Sequence, residues 1–521
     1  MMIVAQSLRQ AGRVCLAVFA FFALLNSNRA AGVFTLGPQV RMESPLRGMV
    51  AVGPLYGLAV LGAALWLAGV GMPALFQTLR VSKTLRTRQG MTPLPPDLQS
   101  GGQAAGLQIQ PEQKRGVILL QALRVRGEFI NGRGLKSGAG VVSGLLAVLI
   151  VLALIRLCCA PNPVEALLAV AALAVLVGTF AFVVIERPEA QNVAALVVAA
   201  ASIHAVVGVA QFLRQADAGL WFLGEGELNP AVRGVSVLQV GAERVLRAYG
   251  LTPHPNSLGV ILAMGLIAAA GLWLWTKTRW RYIWLALLAL LLVGLALAFS
   301  RAAWLGCATA LAGLGVSYCQ GRPSPELTGN SRLQRLAFLS VIVGAVVGPL
   351  IVWKPELFWV RLTASSPLEY QSLFTRGVYI EIALQIIQEH WLWGVGTRRY
   401  LEAAAALTGL PLTTLFPVHN VPLLLWAENG VGAVAAWVTL GLFTVALGWQ
   451  RIIRRTGRNT LVGLSLATAW MVCLQVVSLF GYSYAPTQNL QAPLWLGLTC
   501  GLWAASCGFD ADPASAEHPD S

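Results

Sequence analysis

Long apolar runs separated by short polar connections make up most of the chain. A bilayer core about 30 Å thick needs roughly 20 apolar residues for each helix that crosses it, and about twelve runs approach this length. They lie near 13–28, 49–76, 138–156, 164–185, 191–213, 256–276, 282–299, 302–318, 337–353, 420–447, 460–481 and 491–507. The pattern therefore predicts an all-α polytopic membrane protein with about twelve transmembrane helices.

Composition agrees with this prediction. The chain has 521 residues, of which 56% are hydrophobic and 11% are charged, with a mean hydropathy of +0.68. A soluble domain of this size normally carries about twice as many charged residues. The net charge of +15 would suggest nucleic acid in a soluble protein. In a membrane protein basic residues act first as topology signals, so no nucleic-acid partner is expected.

The basic clusters fall in alternate connections. Arg9 and Arg13 precede the first apolar run, and the helix count puts every later cluster on their side of the membrane. These clusters lie at 80–88, 114–136, 277–281, 322–335 and 451–458. The positive-inside rule then predicts that both termini are cytoplasmic and that two long loops, 214–255 and 354–419, are external.

Four regions follow from these boundaries. Residues 1–79 are predicted to be N-terminal transmembrane helices, 80–137 a cytoplasmic basic insertion rich in Pro and Gly, 138–507 the membrane core, and 508–521 a disordered cytoplasmic tail. The insertion holds ten Lys and Arg against three acids. It can contact anionic membrane lipids, but a topology anchor with a flexible linker is the simpler interpretation.

Motifs for cofactor chemistry are missing from the sequence. The eight cysteines show no CxxC or metal-ligand spacing, and the chain has no P-loop, GxSxG, HExxH or dinucleotide fingerprint. The pair Asp510 and Asp512 lies in the acidic tail without a nucleotide-binding context. We therefore expect no cofactor, no metal site and no ATP-driven transport by this chain.

The loop 354–419 contains the segment "SLFTRGVYIEIALQIIQEHWLW". Apolar residues recur in it every four positions, which predicts an amphipathic helix on the outer membrane surface. They are Phe374, Val378, Ile382 and Ile386. Arg376 is predicted to point toward the apolar side and away from the stripe of Glu381. The alternative for Arg376 is an arginine that snorkels to the interface.

Charged side chains at the edge of a membrane are costly and are therefore functional candidates. The predicted external side supplies three arginines and two histidines: Arg247, Arg301, Arg376, His254 and His419. For any single arginine an interface anchor is an equally good explanation. Five such residues at one end of a bundle would favour a functional site.

Both histidines stand directly before an apolar helix. Pro253 and Pro255 restrict the backbone around His254, and Asn256 or Ser257 can cap the helix that follows. The positive end of a helix attracts phosphate and disfavours imidazolium, so a histidine there tends to remain neutral. A neutral imidazole beside an anionic substrate can act as a general base.

His419 repeats this arrangement in "FPVHNVPLLLWAENG". Asn420 is the candidate cap, and Pro422 falls in the first turn. Glu428 lies nine residues into the predicted span, where a carboxylate needs a partner. We expect it to pair with an arginine or to orient a base.

Four motifs together resemble the O-antigen ligase and O-antigen polymerase superfamily of bacterial membrane glycosyltransferases. They are "RAYGLTPHPNSLGVIL", "LALAFSRAAWLG", "FTRGVYIEIALQIIQEHWLWGVG" and "VHNVPLLLWAENGVGA", in this order. The resemblance covers residues 240–440 and implies a GT-C-like helix bundle with a large external loop. The N-terminal third matches only in hydropathy, and the insertion 80–137 departs from the family pattern.

This resemblance implies an inverting, metal-independent transferase of the bacterial inner membrane. Such an enzyme moves a glycan from a polyprenyl diphosphate carrier to lipid A-core or to another glycan acceptor. His419 would be the general base, with Asn420 and Glu428 in support. Arg247 and Arg301 would grip the diphosphate, with Arg376 as a further candidate and His254 near the donor.

Three functions stay open at this stage. Ligase is the first choice, and polymerase differs from it mainly in the acceptor. Solute transport of the bicarbonate type is the third. Transport predicts charged or polar residues at mid-membrane depth, often in broken helices. The charges here cluster instead at the predicted external edge, which favours an enzyme.

Overall fold

The computed structural model of the chain describes residues 138–507 apart from 160–162, 224, 233, 321–328, 455–457, 483 and 489–490, together with Gln10 and Arg13. The chain divides into two units, and residues 138–507 belong to the larger one. The predicted span 49–76, the insertion and the tail lie outside the described residues, as does the predicted span 13–28 except for Arg13.

Fourteen helices occur in residues 138–507. The first seven are α1 Gly138–Leu157, α2 Pro163–Glu186, α3 Ala190–Arg214, α4 Pro255–Trp275, α5 Arg281–Leu297, α6 Arg301–Gln320 and α7 Gly329–Trp353. The other seven are α8 Pro355–Thr363, α9 Pro367–His390, α10 Tyr400–Thr408, α11 Val421–Asn429, α12 Val431–Ile453, α13 Arg458–Ser478 and α14 Gln491–Cys507.

Eight of these helices are long and apolar enough to cross a membrane, namely α1, α2, α3, α4, α6, α7, α12 and α13. Helices α5 and α14 have 17 residues each, and α5 is apolar throughout apart from its first residue. The prediction of an all-α polytopic membrane protein is confirmed. The predicted total of about twelve spans is not confirmed, because eight candidates are found among the described residues.

The predicted span 420–447 is wrong, because the structure divides it into α11 and α12. Gly430 separates the two helices and has a φ of +81°. A Cβ at this position would lie 2.1 Å from the carbonyl oxygen of Leu392. Only glycine combines this left-handed backbone with so close an approach of another chain segment.

Helix α4 forms the centre of the bundle, and its whole membrane-length window is buried. It packs against α3, α5, α6 and α13. A helix that is apolar on every side is stable only when neighbours surround it. Two glycines allow the closest neighbours to approach: a Cβ at Gly265 would lie 2.5 Å from Ala201 Cβ, and one at Gly259 would lie 2.7 Å from Ser300 Cβ.

Basic side chains cap helix C-termini at one end of the bundle. Arg335 Nη1 donates to the Leu274 carbonyl of α4 at 2.8 Å, and Arg332 Nη1 donates to the Tyr318 carbonyl of α6 at 3.0 Å. Cations stabilise the negative ends of helices in this position. The opposite end, where α4 and α6 begin, is called the site end below.

The predicted loop 214–255 contains a β-hairpin, which the all-α prediction did not include. Strands β1 Val237–Val240 and β2 Glu243–Leu246 form an antiparallel hairpin in which Val237 pairs with Leu246. The strand β1 packs against α8 and α9. Because it contacts both helices of the second loop, the hairpin becomes one wall of the site end.

The chain before the hairpin is held by a buried carboxylate. Glu225 is 3% exposed and accepts hydrogen bonds from Gln211 Nε2 and from the backbone N–H groups of Ala218 and Leu220, each at 2.6 Å. Gln211 belongs to α3, so this set of bonds fastens the loop to the bundle.

The predicted amphipathic helix in 354–419 is α9. Ile382 and Ile386 are buried, as its apolar stripe predicts. Phe374 and Val378 are 64% and 37% exposed, so the predicted face is wrong in the first half of the helix. The reason is that α9 packs on α11 through its second half, where its buried apolar residues lie.

Candidate functional site

A cavity of about 720 Å³ opens at the site end between the hairpin and α9. Arg247, His254 and Arg376, three of the predicted site residues, line it. The other polar residues in its lining are Ser236, Gln239, Arg244, Asn256, Arg361, Glu369, Gln371 and Ser372. The predicted residues Arg301 and His419 are not part of this lining.

Arg247 joins the hairpin to the starts of two helices. It is 4% exposed, and its guanidinium donates to Ser236 Oγ at 2.8 Å, to Asn256 Oδ1 at 2.9 Å and to the Ala298 carbonyl at 2.7 and 3.0 Å. Among the described residues these acceptors are all neutral. Burial, and then the nearby charge of Arg361, lowers the pKa of Arg247 well below its usual range. None of these hydrogen-bond acceptors neutralises the positive charge of Arg247.

A turn between α5 and α6 presents backbone oxygens to the arginines. Phe299 lies in this turn with a φ of +46°, which is unusual for a residue other than glycine. Its carbonyl accepts from Arg247 Nη2 at 3.1 Å and from Arg361 Nε at 2.6 Å. Strained backbone of this kind costs about 1 kcal/mol or more and persists where neighbours fix it. Here it places two guanidinium groups side by side.

Arg361 was not predicted by the sequence. It lies on α8, is 5% exposed, and its Nη1 donates to both carboxylate oxygens of Glu369 at 2.6 and 2.5 Å. Burial lowers the pKa of Arg361, and Glu369 raises it in opposition. Glu369 lies in the first turn of α9, where Ser366 Oγ accepts its backbone N–H at 3.3 Å. The carboxylate therefore holds an arginine of the cavity in place.

Arg301 lies at the start of α6, close to this pair. Its Nη2 is 3.5 Å from Glu369 Oε2, and its Nη1 donates to the Arg361 carbonyl at 3.3 Å. Its side chain is 26% exposed. Arg301 is thus a neighbour of the cavity arginines through Glu369.

Arg376 lines the cavity from α9 and is half-buried. It has no hydrogen-bond partner within the described part of the chain. Burial lowers its pKa, and the charges of Arg361 and Arg301 lower it further. The side chain lies in this polar cavity, whereas the sequence predicted that it would point toward the apolar side of the helix. Its guanidinium donors are available to a ligand in the cavity.

His254 is the N-cap residue of α4. Its Nδ1 accepts the backbone N–H of Asn256 at 3.1 Å, so the predicted cap, Asn256 or Ser257, is wrong. The reason is that Asn256 turns instead to Arg247. The imidazole keeps an exposed edge on the cavity, yet protein atoms surround the rest of it. This desolvation, and then the charge of Arg247, holds the pKa of His254 well below its usual range.

His419 lies half-buried just before α11. Burial lowers its pKa to about 4; Arg376 lowers it as well, and the Pro417 carbonyl acts in the opposite direction. The positive charge that His419 would carry also lowers the pKa of His254. At neutral pH His419 is therefore uncharged and able to accept a proton.

Two tyrosines flank His419. The ring of Tyr379 stacks beside it with 6.4 Å between centroids and 26° between planes. The ring of Tyr482 meets it edge-on, at 5.1 Å and 87°. Tyr379 comes from α9, and Tyr482 comes from the connection between α13 and α14. Neither tyrosine was predicted as a site residue.

Asn420 caps α11, as predicted. Its Oδ1 accepts the backbone N–H of Leu423 at 2.9 Å, and Pro422 falls in the first turn. The other side of the same amide, Nδ2, donates to the Leu479 carbonyl at 3.2 Å. Asn420 therefore fixes both the helix that follows His419 and the segment that carries Tyr482.

Glu428 is 1% exposed near the end of α11, outside the eight candidate spans. An arginine partner was one of two expectations, but its side-chain partner is Gln488, whose Nε2 lies 3.2 and 3.3 Å from its two oxygens. The neighbouring Arg398 is paired with Glu165 instead. Burial raises the pKa of Glu428 to about 7.

The residues that sequence reasoning missed have weak signals. Arg361 is the single basic residue of the short helix α8, and Glu369 stands three residues after Ser366 in a capping-box spacing. That spacing predicts a helix start, which the structure confirms. It does not predict an ion pair with α8, because the approach of two helices depends on the tertiary fold.

Fold and site together define a multi-pass membrane protein with an arginine-lined cavity at one end of its helix bundle. Residues 286–438 match the family model described as O-antigen ligase. This match, which covers less than a third of the chain, supports the resemblance to the O-antigen ligase superfamily seen in the motifs. No curated protein matches the chain. The matched segment includes Arg301, Arg361, Arg376 and His419, whereas Arg247 lies before it.

Proposed function

We propose that the chain is an inverting, metal-independent glycosyltransferase of the O-antigen ligase type. It moves a glycan from a polyprenyl diphosphate carrier to an acceptor hydroxyl, with lipid A-core as the expected acceptor. The observation that carries this proposal is the cavity itself. Arg244, Arg247, Arg361 and Arg376 line it, and Glu369 is the one carboxylate among its described lining residues.

This surplus of positive charge suits a diphosphate. A diphosphate that joins two carbon groups carries two negative charges, and Glu369 offsets only one of the four arginines. Charge-assisted hydrogen bonds from guanidinium groups to phosphate oxygens are among the strongest in proteins. Arg376 has free donors for this purpose, while Arg247 is held rigidly by Asn256 and by backbone carbonyls. We assign both to the diphosphate, with Arg361 beside them.

The transfer needs one proton acceptor and a stabilised leaving group. The acceptor oxygen attacks the anomeric carbon, the bond from that carbon to the diphosphate oxygen breaks, and the hydroxyl proton passes to His419. The leaving diphosphate gains negative charge, which the arginines stabilise. A neutral His419 is the state that this step requires. His254 borders the donor and, being neutral, can donate or accept a hydrogen bond there.

The direction of the site follows from the basic end of the bundle. Arg332 and Arg335 cap helices at the end opposite the cavity. The positive-inside rule favours the cytoplasm for such residues, which supports the proposal that the cavity faces the outside of the bacterial inner membrane. A lipid-linked glycan that has already crossed the membrane reaches it from the outer leaflet.

The test is glycan transfer by the purified protein in detergent with EDTA present. The donor is a labelled polyprenyl-diphosphate oligosaccharide, offered with and without lipid A-core. We expect transfer to lipid A-core, and we expect His419→Ala to lower its rate by about 10²-fold or more. His390→Ala is the matched control, because the His390 side chain is 51% exposed at the end of α9 and lies 4.0 Å from Glu389. This control is expected to keep the wild-type rate.

Other outcomes identify the alternatives. Elongation of the carrier-linked glycan, lost in His419→Ala, would make the chain a polymerase. No transfer to any acceptor by a folded protein would contradict the enzyme proposal. Bicarbonate uptake by proteoliposomes that contain the protein would then support transport.

A further inference from the structure

The connection between α13 and α14 reaches across the site end. Near its start, the Leu479 carbonyl accepts the Asn420 side chain, next to His419. Farther along, the Tyr484 hydroxyl donates to the Ser257 carbonyl in the first turn of α4 at 3.3 Å. One short segment therefore contacts both the helix after His419 and the helix after His254.

The far part of this connection is fixed by buried polar groups. Arg398 Nη1 donates to the carbonyls of Thr487 and Gln488 at 2.7 and 3.1 Å, and Arg398 is also paired with Glu165. The Gln488 side chain binds Glu428. Contacts on both sides thus hold the segment, so Tyr482 occupies a defined position.

Tyr482 borders the imidazole of His419. A general base takes a proton only from an oxygen within about 3 Å of its ring nitrogen. The Tyr482 ring centroid is 5.1 Å from that of the imidazole, which is close enough for a sugar whose hydroxyl reaches His419 to contact this ring. Tyr482 is half-buried and keeps accessible surface. Tyr379, on the stacked side, is 6% exposed and covered by protein.

We propose that Tyr482 forms a wall of the acceptor subsite and packs against the acceptor sugar while His419 removes the proton. The proposal rests on the transferase function above and names the acceptor as a carbohydrate hydroxyl. A tyrosine combines an apolar ring face, which suits the C–H face of a sugar, with a hydroxyl that can bond to its polar edge. The cavity arginines hold the donor, so the donor and the acceptor contact different surfaces of the site.

The experiment compares Tyr482→Ala with wild type in the transfer assay, with the concentrations of donor and acceptor varied separately. We expect the acceptor KM to rise on the order of tenfold, while the donor KM stays within about twofold. Tyr482→Phe keeps the ring and is expected to recover most of the loss. Tyr482→Leu keeps much of the volume, so it reports on the ring if the alanine variant unfolds.

Phe480→Ala is the matched control. It removes an aromatic ring from the same connection, two positions away, at a side chain that is 44% exposed. It is expected to leave the acceptor KM unchanged. An equal rise in this control would mean that the connection has moved and would overturn the assignment to Tyr482.

Two further results distinguish acceptor binding by Tyr482 from a structural role of this residue, and failure of this proposal from failure of the transferase function. If Tyr482→Ala and Tyr482→Leu lower only kcat and leave the acceptor KM unchanged, the ring orients His419 and the acceptor proposal is overturned. If wild type transfers glycan to no acceptor, the transferase function fails first, and the acceptor subsite fails with it.

Discussion

Arg361 and Glu369 form a bidentate ion pair between two consecutive helices. Nη1 of Arg361 lies 2.6 and 2.5 Å from the two oxygens of Glu369, and the side chain of each residue is 6% exposed. Arg301 approaches the same carboxylate at 3.5 Å. One acid thus sets the position of two arginines at the edge of the cavity.

Glu369→Gln removes this charge and leaves two arginines without their shared partner. Breaking a buried ion pair from one side typically costs about 3–5 kcal/mol. We expect a lower thermal midpoint in detergent and a loss of donor kcat/KM on the order of tenfold or more, because Arg361 no longer has a fixed direction. Thermal unfolding and transfer kinetics measure the two effects.

Glu402→Gln is the control for this change. Glu402 pairs with Arg399 through side chains that are 37% and 43% exposed, and such surface pairs contribute about 0–1 kcal/mol. The Glu402→Gln variant should have the thermal midpoint and the transfer kinetics of wild type. A Glu369→Gln variant that behaves like this control would show that the carboxylate does not position the arginines.

Arg247→Lys keeps the charge but loses the planar fork that reaches three segments at once. A lysine ammonium cannot reproduce contacts with Ser236, Asn256 and the Ala298 carbonyl together. We expect a fall in transfer rate on the order of 10²-fold. Arg399→Lys, at an exposed position, serves as the control. Retention of more than half the activity by Arg247→Lys would indicate that charge alone suffices.

The pH profile of kcat/KM reports the ionisation of groups in the free enzyme. Because burial lowers the pKa of His419 to about 4, the imidazole stays neutral above that value and becomes protonated below it. We expect a flat profile from about pH 8 to 5 and a fall as the pH passes through about 4. Full recovery on return to neutral pH separates titration from unfolding. A fall that begins near pH 6.5 would contradict a desolvated base.

Stability should depend on the pH through Glu428. Its folded pKa is raised to about 7 from a reference of 4.5, so the stability present below pH 4.5 is lost as the pH rises through 7. The full loss is roughly 3 kcal/mol. Glu428→Gln removes this titration, and its thermal midpoint should fall less between pH 5 and 8 than that of wild type. Parallel curves for the two proteins would count against a buried, protonated carboxyl.

Gly430→Ala tests the break between α11 and α12. The new Cβ would meet the Leu392 carbonyl at 2.1 Å in a backbone with a φ of +81°, so both a clash and strain are expected. Gly409→Ala is the matched control, since Gly409 has a φ of +68° and open space around it. The control should lose about 1 kcal/mol from backbone strain alone. Gly430→Ala should lose clearly more, as measured by thermal unfolding, and an equal loss would argue against the clash.

The sequence predicted most of the long helices among the described residues, because hydrophobic length is a local property. The break at Gly430 escaped notice since the residues on both sides of it are apolar and continue the pattern of a single helix. What divides this run is the approach of Leu392, which lies some forty residues away in the chain. Only the fold brings that segment near.

The sequence also predicted some residues of the candidate site and missed others. Arg247, His254 and Arg376 were predicted because charge is unusual beside membrane helices, and the structure brings them to one cavity. Arg361 and Tyr482 were missed for opposite reasons. Arg361 lies in a short helix whose sequence gives no sign of a site, and Tyr482 is distinguished only by its short distance to His419 in the fold.

The bond from Asn420 to the Leu479 carbonyl has a consequence for synthesis of the protein. The arginines and His419 precede the last two helices in the chain, so the ribosome makes them before it makes Tyr482. The acceptor side can close only after α13 and α14 have been inserted and this bond has formed. On the proposed function, the residues assigned to the donor are therefore synthesised before the tyrosine assigned to the acceptor.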